Sequence, residues 1–391
     1  MNILQVIPYF VPAWDYGGPV QVAYGASKEL VKRGHKVTVY TTDALNVNCR
    51  AGEREEVIDG IIVKRFRNLS NTLVHKHKIF LTPGMLPAIR KEISSFDIIH
   101  AHEYRTIQNV IVRYYARKHG IPYVIQAHGA LPRVTAKLRL KHAFDATLGY
   151  KLLGSAGRVI ALNETEAKQY RNMGVSQDKI EIVPNGVDPR EFESLPERGK
   201  FRAKYGLDKN HKVVLYLGRI HESKGLDLLI RAFASLSREM DSARLVIVGP
   251  DGGYSSDLTK LAQDLKASDK TLFTGSIYER NRLEAYVDAD IFVTPSFLGF
   301  PVTFVEACAC GTPIITTEKS DRLDWLDNHA GLVVAYDEDQ LKDAMVKVLN
   351  NKDLARQFGE NGKRLVTEKF AWPKIADELE RIYLEARAIQ R

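Results

Sequence analysis

The stretch IFVTPSFLGFPVTFVEACACG runs from Ile291 to Gly311 and reads as a strand, a turn and a helix. Its first four residues are apolar or β-branched, which predicts a buried strand. Pro295 and Ser296 end that strand, and residues 303–310 form an apolar run long enough for two helical turns. A helix that starts after such a turn directs its free N–H groups and positive dipole end to one point. The stretch therefore predicts an anion site beyond the strand, with phosphate as the first candidate ligand.

Glu306 lies inside the predicted helix, three residues after Thr303, and this spacing allows two interpretations. In the first, the two residues form a capping box, in which the carboxylate accepts hydrogen bonds from N–H groups at the helix start. In the second, the carboxylate points to a ligand and accepts hydrogen bonds from its hydroxyl groups. The capping box is the commoner use of this pattern, and the local sequence leaves both interpretations open.

Length, net charge and cysteine content restrict the kinds of protein that this chain can be. Its 391 residues suit two domains of about 180 to 200 residues each. A net charge of +8 favours an anionic partner such as a nucleotide, a lipid phosphate or a membrane surface, and a solvated basic surface is the alternative. The three cysteines have neither disulfide nor metal-site spacing. Because we find no apolar run of about 18 residues and no signal-peptide pattern, we expect a cytoplasmic protein.

Short apolar strands alternate with amphipathic helices along the chain. In the first half we predict strands at 3–7, 36–41, 98–101, 123–127, 159–162 and 180–183, and helices at 20–32 and 106–118. In the second half we predict strands at 213–217, 245–248, 272–274 and 291–294, and helices at 226–237, 258–266 and 280–287. The alternation predicts an α/β protein with two Rossmann-like, doubly wound parallel sheets. Ligands of such sheets bind beyond the carboxyl ends of the strands, and we expect the two domains to face a central cleft.

The segment 184–206, PNGVDPREFESLPERGKFRAKYG, separates the two halves. It is polar and rich in turn residues, so we interpret it as a linker. The N-terminal domain is placed at residues 1–188 and the C-terminal domain at residues 189–373. Neither half has the G-x-G-x-x-G pattern of a dinucleotide site or the G-x-x-x-x-G-K-[ST] pattern of a P-loop, which argues against an NAD-dependent or ATP-hydrolysing enzyme.

A glycine-containing loop with two basic residues follows the predicted strand 213–217. Gly218 and Gly225 allow the backbone to turn and to approach a ligand closely, while Arg219 and Lys224 place two cations beside a helix start. Two exposed loop cations without a role are the alternative. Together with the turn at residues 299–303, the loop has the parts needed to hold a diphosphate, whose departure as a leaving group it would stabilise without a metal.

Two acidic or histidine-containing motifs allow a metal-site interpretation that we do not favour. Asp288 and Asp290 form a D-x-D motif, but they close a helix and enter a buried strand, which favours a structural role at the helix end. His100, His102 and Glu103 follow one another at a strand end, without a further cluster of ligands. We therefore interpret these two histidines as polar cleft or packing residues.

His128 follows the strand 123–127 and precedes Gly129, so it is predicted to stand at the carboxyl edge of the first sheet. A neutral imidazole at this position can hydrogen-bond a sugar hydroxyl or orient an acceptor. A structural histidine with satisfied ring nitrogens is an equally good interpretation.

Several short motifs occur in an order and spacing that match one enzyme family. They are Gly17-Gly18, Gln126-Ala127-His128-Gly129, Pro184-Asn185-Gly186-Val187-Asp188, Gly218-Arg219, Lys224-Gly225, Gly249-Pro250, Gly275-Ser276, Pro295-Ser296, Glu306-Ala307, Gly311-Thr312-Pro313 and Phe370-Ala371-Trp372. Over nearly its full length the chain resembles the family 4 glycosyltransferases of the GT-B class. The resemblance implies a retaining transferase that moves a sugar from a nucleotide donor and needs neither a cofactor nor a metal.

The resemblance also implies roles for individual residues. Arg219 and Lys224 would hold the donor diphosphate, Glu306 the nucleotide ribose and His128 the transferred sugar. The implied donor-binding residues are Gly17, Gly18, Asn185, Gly218, Pro250, Ile277, Leu298, Gly299, Phe300, Pro301 and Val302. The donor would be a UDP- or GDP-sugar, and the last helix, residues 374–391, would return to pack on the first domain.

One departure from the family pattern concerns the donor sugar. The family has a glutamate eight residues before the position of Glu306, and this chain has Leu298 there. Loss of a charged hydrogen-bond partner costs about 1.5–3 kcal/mol if nothing replaces it. Two hypotheses follow: a working transferase that holds the sugar differently, or a nucleotide-sugar-binding protein of the same fold that has lost its activity.

A basic and apolar segment at residues 131–142 suggests the acceptor. Arg133, Lys137 and Lys141 recur every four residues and would form one stripe of a helix, and the stretch 75–81 has a similar character. Such helices favour anionic membrane surfaces or lipid-linked phosphates, although a solvated helix face is the alternative. We hypothesise peripheral docking at the inner face of the cell membrane and a glycan or lipid-linked acceptor in polysaccharide or glycoconjugate biosynthesis, and we expect no nucleic-acid partner.

Overall fold

The computed structural model describes all residues other than 47, 78, 133–137, 278–279, 298–299, 320–323 and 390–391, without the side chains of Asp15, His75, Lys76 and His77. The chain forms two compact units. Unit 1 consists of Met1–Gly186 and the segment that starts at Trp372, and unit 2 is Val187–Ala371. The predicted boundaries after residues 188 and 373 lie two residues beyond each of these.

Unit 1 contains a sheet with the strand order β3-β4-β2-β1-β5-β6-β7-β8. Its strands are β1 (Asn2–Val6), β2 (Lys36–Thr42), β3 (Glu55–Ile58), β4 (Ile61–Phe66), β5 (Ile98–His102), β6 (Tyr123–Gln126), β7 (Arg158–Ala161) and β8 (Ile180–Ile182). The pairs are parallel except for β3 and β4, which form an antiparallel hairpin at one edge. Asp59 and Gly60, both with positive φ, make the two-residue hairpin turn, a sequence signal that the strand prediction missed.

Unit 2 contains a second sheet, with the strand order β11-β10-β9-β12-β13-β14. Its strands are β9 (Lys212–Leu217), β10 (Ala243–Val248), β11 (Thr271–Gly275), β12 (Ile291–Thr294), β13 (Ile314–Thr317) and β14 (Gly331–Val334). All the pairs are parallel. The predicted class of two doubly wound parallel sheets is confirmed, and β12 is the strand predicted at residues 291–294.

Helices connect the strands in both units. They are α1 (Gly18–Lys32), α2 (Asn71–His77), α3 (Met85–Glu92), α4 (Ile107–His119), α5 (Leu138–Phe144), α6 (Tyr150–Gly154), α7 (Glu164–Asn172), α8 (Lys200–Lys204), α9 (Leu226–Glu239), α10 (Ser255–Asp264), α11 (Asn281–Asp288), α12 (Val302–Cys310), α13 (Glu338–Asn350), α14 (Lys352–Leu365) and α15 (Trp372–Ile389). In the described residues we find no helix with the length and apolar character needed to cross a membrane.

The segment 184–206 is more than a linker. It contains a 3-10 helix at Pro189–Phe192 and the helix α8, in which Phe201 and Arg202 are buried. The chain passes from unit 1 to unit 2 at residues 186–187, within the predicted linker, and the rest of the segment folds as part of unit 2.

Arg202 anchors this segment to the end of α11. Its guanidinium donates to the carbonyl oxygen of Asp288 at 2.8 Å and pairs with Asp290 at 3.0 Å. The Asp288 carboxylate accepts from the backbone N–H of Arg202 at 2.9 Å, and Asp290 accepts from the N–H of Val213 at 2.8 Å. Both carboxylates of the D-x-D motif therefore serve the fold, which confirms the structural interpretation.

The last helix, α15, packs on α1 in unit 1. Its apolar face, including Trp372, Ile375 and Leu379, joins the core that contains Ile3. The Trp372 ring lies so close to two glycines that a Cβ on Gly25 would come within 2.2 Å of the ring and one on Gly186 within 2.7 Å. These glycines leave the space that the indole fills.

We expect Gly25→Ala to lower the free energy of unfolding by about 1–3 kcal/mol, because the added methyl group overlaps the Trp372 ring in a packed core. Urea unfolding followed by circular dichroism measures the change. Gly154→Ala is the matched control, since a Cβ at this helix-end glycine meets nothing within 4 Å. Equal stability of the two variants would contradict the packing argument.

Candidate functional site

In unit 2 two glycine loops meet at the carboxyl edge of the sheet. Gly218 follows β9, and its N–H donates to the carbonyl of Val248 in β10 at 2.9 Å. Gly249 follows β10, and a Cβ there would lie 1.9 Å from the carbonyl oxygen of Gly218. The two loops can approach this closely only because residue 249 is a glycine, and the sheet edge presents bare backbone to a ligand.

Arg219 is held at this edge through its backbone. The hydroxyl of the buried Tyr216 donates to the carbonyl oxygen of Arg219 at 2.9 Å, and the N–H of Ile220 donates to the carbonyl of Pro250 at 2.9 Å. The Arg219 side chain runs over Gly252, whose Cβ position lies 2.8 Å from Nε. The backbone that carries the exposed guanidinium is therefore held in place by hydrogen bonds.

Lys224 ends a 3-10 turn, Glu222–Lys224, directly before α9. Its side chain is half-buried, and this burial, with the nearby guanidinium of Arg219 as a second cause, lowers the pKa of Lys224 below its ordinary value. Among the described residues, no carboxylate pairs with Lys224 or with the Arg219 guanidinium. Two like charges are therefore held together without a counterion from the described chain, an arrangement that favours a multiply charged anion.

The start of α12 differs from the predicted capping box. Pro301, with φ −78° and ψ 119°, is the N-cap residue, so the helix begins at Val302 and Thr303 already lies within it. The Glu306 carboxylate does not turn back to the helix start. The capping-box interpretation is wrong because the extended backbone of Pro301 sets the helix start ahead of Thr303.

Glu306 instead forms a buried ion pair. Oε1 lies 2.9 Å from Nε of Arg282, and Oε2 accepts from the Tyr286 hydroxyl at 3.2 Å. Arg282 also pairs with Glu191 at 2.8 Å. Burial acts to lower the pKa of Arg282, but the carboxylates of Glu306 and Glu191 outweigh it, so the pKa is raised. Glu306 is 5% exposed and its oxygens keep lone pairs for a ligand hydroxyl, so the predicted ribose contact stays a prediction.

Arg282 and Tyr286 were not predicted as partners of Glu306. They are four residues apart on α11 and so share one helix face, a signal that the sequence contains. Glu191, in contrast, lies in the segment that we had taken as a linker.

Five further residues that were predicted to bind the donor belong to unit 2. Leu298 and Gly299 lie outside the described residues. Phe300 is buried, with its ring centroid 5.9 Å from that of Trp325 and 5.3 Å from that of Phe370. Pro250 is exposed after Gly249, and Ile277 is half-buried beyond β11.

Three residues that were predicted to bind the donor belong to unit 1. Gly17 has a φ of +83° and is the N-cap of α1, and Gly18 is the first residue of that helix. A Cβ at either glycine would meet nothing within 4 Å, so the space beside them is open. Asn185 is buried after β8.

His128 stands at the carboxyl end of β6 with a φ of +52°, a left-handed conformation that is uncommon for a residue with a side chain. Two buried residues of α7 hold the backbone there. The Tyr170 hydroxyl accepts from the N–H of Ala127 at 3.0 Å, and the Glu166 carboxylate accepts from the N–H of Gly129 at 2.7 Å. Arg105 donates to two further carbonyl oxygens of this loop, at 2.6 and 2.9 Å. The sequence analysis did not identify these supporting residues.

The three histidines of unit 1 form one stack. Ring centroids are 4.1 Å apart for His100 and His102, and 5.1 Å apart for His102 and His128. His100 Nδ1 lies 2.8 Å from the Tyr383 hydroxyl, His102 Nε2 lies 2.6 Å from Gln5 Oε1, and His102 Nδ1 lies 2.8 Å from His128 Nε2. Both histidines are buried, His102 with side chains at both ring nitrogens and His100 with the Tyr383 hydroxyl at Nδ1, so the structure supports packing roles for them.

The stack predicts that the free energy of unfolding falls in acid. Burial, with the neighbouring His128 as a second cause, lowers the pKa of His100 to about 3. Since this is below the value of about 6.5 in an unfolded chain, the contribution is complete above pH 6.5 and is lost as pH falls toward 3. At pH 4.5 we expect a loss of about 3 kcal/mol from His100 alone.

Urea unfolding at pH 7.5, 6.0 and 4.5 measures this dependence. His100→Gln should make it less steep, with His102 and His128 supplying the remainder, whereas His119→Gln, at an exposed position in α4, should leave it unchanged. The same slope in both variants would contradict the assignment to the buried ring.

Two family models cover most of the chain. The model described as Glycosyltransferase Family 4 matches residues 16–191, and the model described as Glycosyl transferases group 1 matches residues 197–365. The chain belongs to family 4 of the glycosyltransferases. It is therefore a glycosyltransferase, as the sequence motifs predicted.

Two curated relatives illustrate the similarity of this glycosyltransferase. The D-inositol 3-phosphate glycosyltransferase of Gordonia bronchialis is 27% identical, over 96% of this chain and 85% of the relative. A GDP-mannose-dependent alpha-(1-6)-phosphatidylinositol monomannoside mannosyltransferase of Mycobacterium tuberculosis is 33% identical, over 51% of this chain and 54% of the relative.

Solved structures establish the GT-B fold of this glycosyltransferase. Sucrose-phosphate synthase of Thermosynechococcus elongatus has a TM-score of 0.81 at 21% identity, with both chains fully covered. HepE of Anabaena, in complex with UDP and glucose, has a TM-score of 0.76 at 18% identity and covers 97% of this chain and 98% of its own. The predicted GT-B architecture is confirmed.

Proposed function

We propose that this glycosyltransferase moves a sugar from a UDP- or GDP-sugar to a glycan or lipid-linked acceptor in polysaccharide or glycoconjugate biosynthesis, with retention of configuration and without a metal. The observation that carries the proposal is the pair of cations at the carboxyl edge of unit 2. Arg219 and Lys224 lie beside bare glycine backbone and the start of α9, and have no carboxylate partner in the described chain. A nucleotide diphosphate supplies the missing negative charge.

The chemistry follows from holding the leaving group. As the bond between the sugar and the diphosphate breaks, negative charge develops on the phosphate oxygens, which the two cations and the helix start stabilise. The departing phosphate oxygen takes the proton of the acceptor hydroxyl, whose oxygen bonds to the sugar carbon on the same face. Configuration is thereby retained, and no metal is needed to neutralise the diphosphate.

The two similar proteins with nucleotide-based names support the choice of donor. HepE of Anabaena was solved with UDP and glucose, and the mycobacterial relative is named as GDP-mannose-dependent. Both uracil and guanine therefore remain candidates for the base of the donor, and the experiment includes both nucleotides.

Thermal unfolding with UDP, GDP and ADP, each with magnesium or with EDTA, tests the proposal. A ligand at 100 times its dissociation constant stabilises the folded state by about 2.7 kcal/mol, which corresponds to a shift of several degrees. We expect UDP or GDP to raise the midpoint equally in magnesium and in EDTA, and Arg219→Ala to abolish the shift. A shift that requires magnesium would overturn the metal-independent mechanism, and no shift with any nucleotide would overturn the donor class.

The alternative function is a nucleotide-sugar-binding protein of this fold that has lost its transfer activity. Leu298, in place of the family's glutamate, motivates it. Leu298→Glu separates the two: a large gain in donor turnover favours lost activity in the natural chain, whereas a loss shows that the leucine belongs to a working site.

Membrane docking is supported by one short helix of unit 1. Arg133 and Lys137 lie outside the described residues, whereas Lys141 is in α5, which has no buried residue. Leu138 and Leu140 of this helix are 48% and 64% exposed. Exposed leucines beside basic residues suit an anionic lipid surface.

We expect the double variant Leu138→Ser and Leu140→Ser to bind anionic vesicles at least about tenfold more weakly than the wild type, because two apolar side chains no longer enter the lipid. Co-sedimentation at low salt measures the binding. Val57→Ser is the control, since Val57 is 68% exposed on the hairpin β3–β4 of the same unit. Wild-type protein that ignores the vesicles would end the membrane hypothesis.

A further inference from the structure

The contact between Gln5 and His102 determines where the protons of the histidine stack lie. Gln5 Oε1 is 2.6 Å from His102 Nε2, and both side chains are buried. A carbonyl oxygen can only accept, so His102 Nε2 must carry a proton. A neutral imidazole has one N–H, and His102 Nδ1 is therefore a lone pair.

The lone pair on His102 Nδ1 in turn determines which nitrogen of His128 carries the proton. His102 Nδ1 is 2.8 Å from His128 Nε2, so His128 must donate here and Nε2 carries its proton. Its other nitrogen, Nδ1, is then a lone pair. Among the described residues Nδ1 of His128 has no hydrogen-bond partner, and the residue is partly exposed.

On its far side the Gln5 amide contacts a hydroxyl that can accept from its nitrogen, which is compatible with this orientation. Gln5 Nε2 donates to the Tyr383 hydroxyl at 3.4 Å, and that hydroxyl lies 2.8 Å from His100 Nδ1. Tyr383 is buried on α15. Burial lowers the pKa of both His102 and His128, which keeps the rings neutral at ordinary pH.

We propose that Gln5 is a positioning residue that fixes His128 in the tautomer with Nδ1 as a hydrogen-bond acceptor, so that the ligand group received there is a hydroxyl that donates. The sugar in this role rests on the proposed function. Gln5 itself acts through His102, which lies between Gln5 and His128. A ligand oxygen without a proton, such as a carboxylate oxygen, meets a lone pair at this position and is disfavoured.

The competing arrangement has the Gln5 amide turned over. Its nitrogen would then donate to His102 Nε2, and both His102 and His128 would carry their protons on Nδ1. Long-range proton–nitrogen correlation spectra of the histidine-labelled protein at pH 7.5 distinguish the two tautomers without any substrate. Variants His102→Asn and His128→Asn assign the signals. We expect both rings to be protonated on Nε2, and a proton on Nδ1 of either ring overturns the proposal.

Gln5→Met tests the relay, because methionine has a similar length and lacks the amide. We expect the tautomer signals of His102 and His128 to shift or split, and KM for the donor sugar to rise about three- to tenfold while kcat changes less. Gln108→Met is the matched control, a second buried glutamine of unit 1 that contacts Thr82 and no histidine.

Unchanged His128 signals in Gln5→Met, or the same change in Gln108→Met, would overturn the proposal. Because the spectra need no turnover, a failure of the proposed sugar transfer leaves this test intact and the two failures can be told apart.

Discussion

Lys224→Ala is expected to lower kcat/KM for sugar transfer by about 10²–10³-fold. The lysine ammonium is half-buried, close to the Arg219 guanidinium, and without a carboxylate partner in the described residues. Removing one fixed charge-stabilising group from such a site costs about 2.7–4 kcal/mol in the transition state. The effect should fall on kcat as well as on KM, since the charge on the diphosphate grows as the sugar leaves.

Initial rates with the donor found by thermal unfolding measure this loss. Lys260→Ala is the control, because Lys260 is an exposed lysine of α10 in the same unit. The double variant with Arg219→Ala should lose less than the product of the two single effects, since both cations act on one diphosphate. Turnover within threefold of the wild type in Lys224→Ala would remove the central support for the proposed mechanism.

Glu306→Ala is expected to lower the free energy of unfolding by about 3–5 kcal/mol, because it breaks a buried ion pair by removing one partner. The Glu306 side chain is 6% exposed and pairs with Arg282, which is 21% exposed. After the change the guanidinium retains its pair with Glu191, whose side chain is 52% exposed, and the Tyr286 hydroxyl loses the carboxylate that accepts from it.

Urea unfolding gives the stability, and nucleotide titration of the folded fraction gives the affinity. Glu284→Ala is the control, as Glu284 lies on α11 beside Arg282 and has no ion pair in the described chain. If Glu306→Ala weakens nucleotide binding while Arg282→Met does not, the carboxylate contacts the ribose in addition to its structural role. A loss of less than 1 kcal/mol in Glu306→Ala would show that the pair contributes little to the fold.

Two features of the sequence were interpreted correctly because each depends on neighbours in the chain. The alternation of apolar strands and amphipathic helices predicted both parallel sheets, and the D-x-D motif at Asp288 was placed at a helix end. Where contacts come from distant residues, local reasoning failed. Thr303 and Glu306 have capping-box spacing, but Pro301 sets the helix start, and Arg282 takes the carboxylate.

The sequence by itself determined the fold class, the family and the position of the candidate diphosphate site after β9. The periodicity of burial and the placing of glycines at strand ends are local properties, and they survive without knowledge of the tertiary structure. Only the tertiary structure decided the contacts of the polar groups: which carboxylate pairs with Arg282, which cations have no carboxylate partner among the described residues, and which side chains contact the histidine stack. Gln5 and His102 are far apart in sequence, and strand pairing brings them together. Charge and hydrogen-bond capacity depend on such contacts, so they are fixed only when the chain is folded.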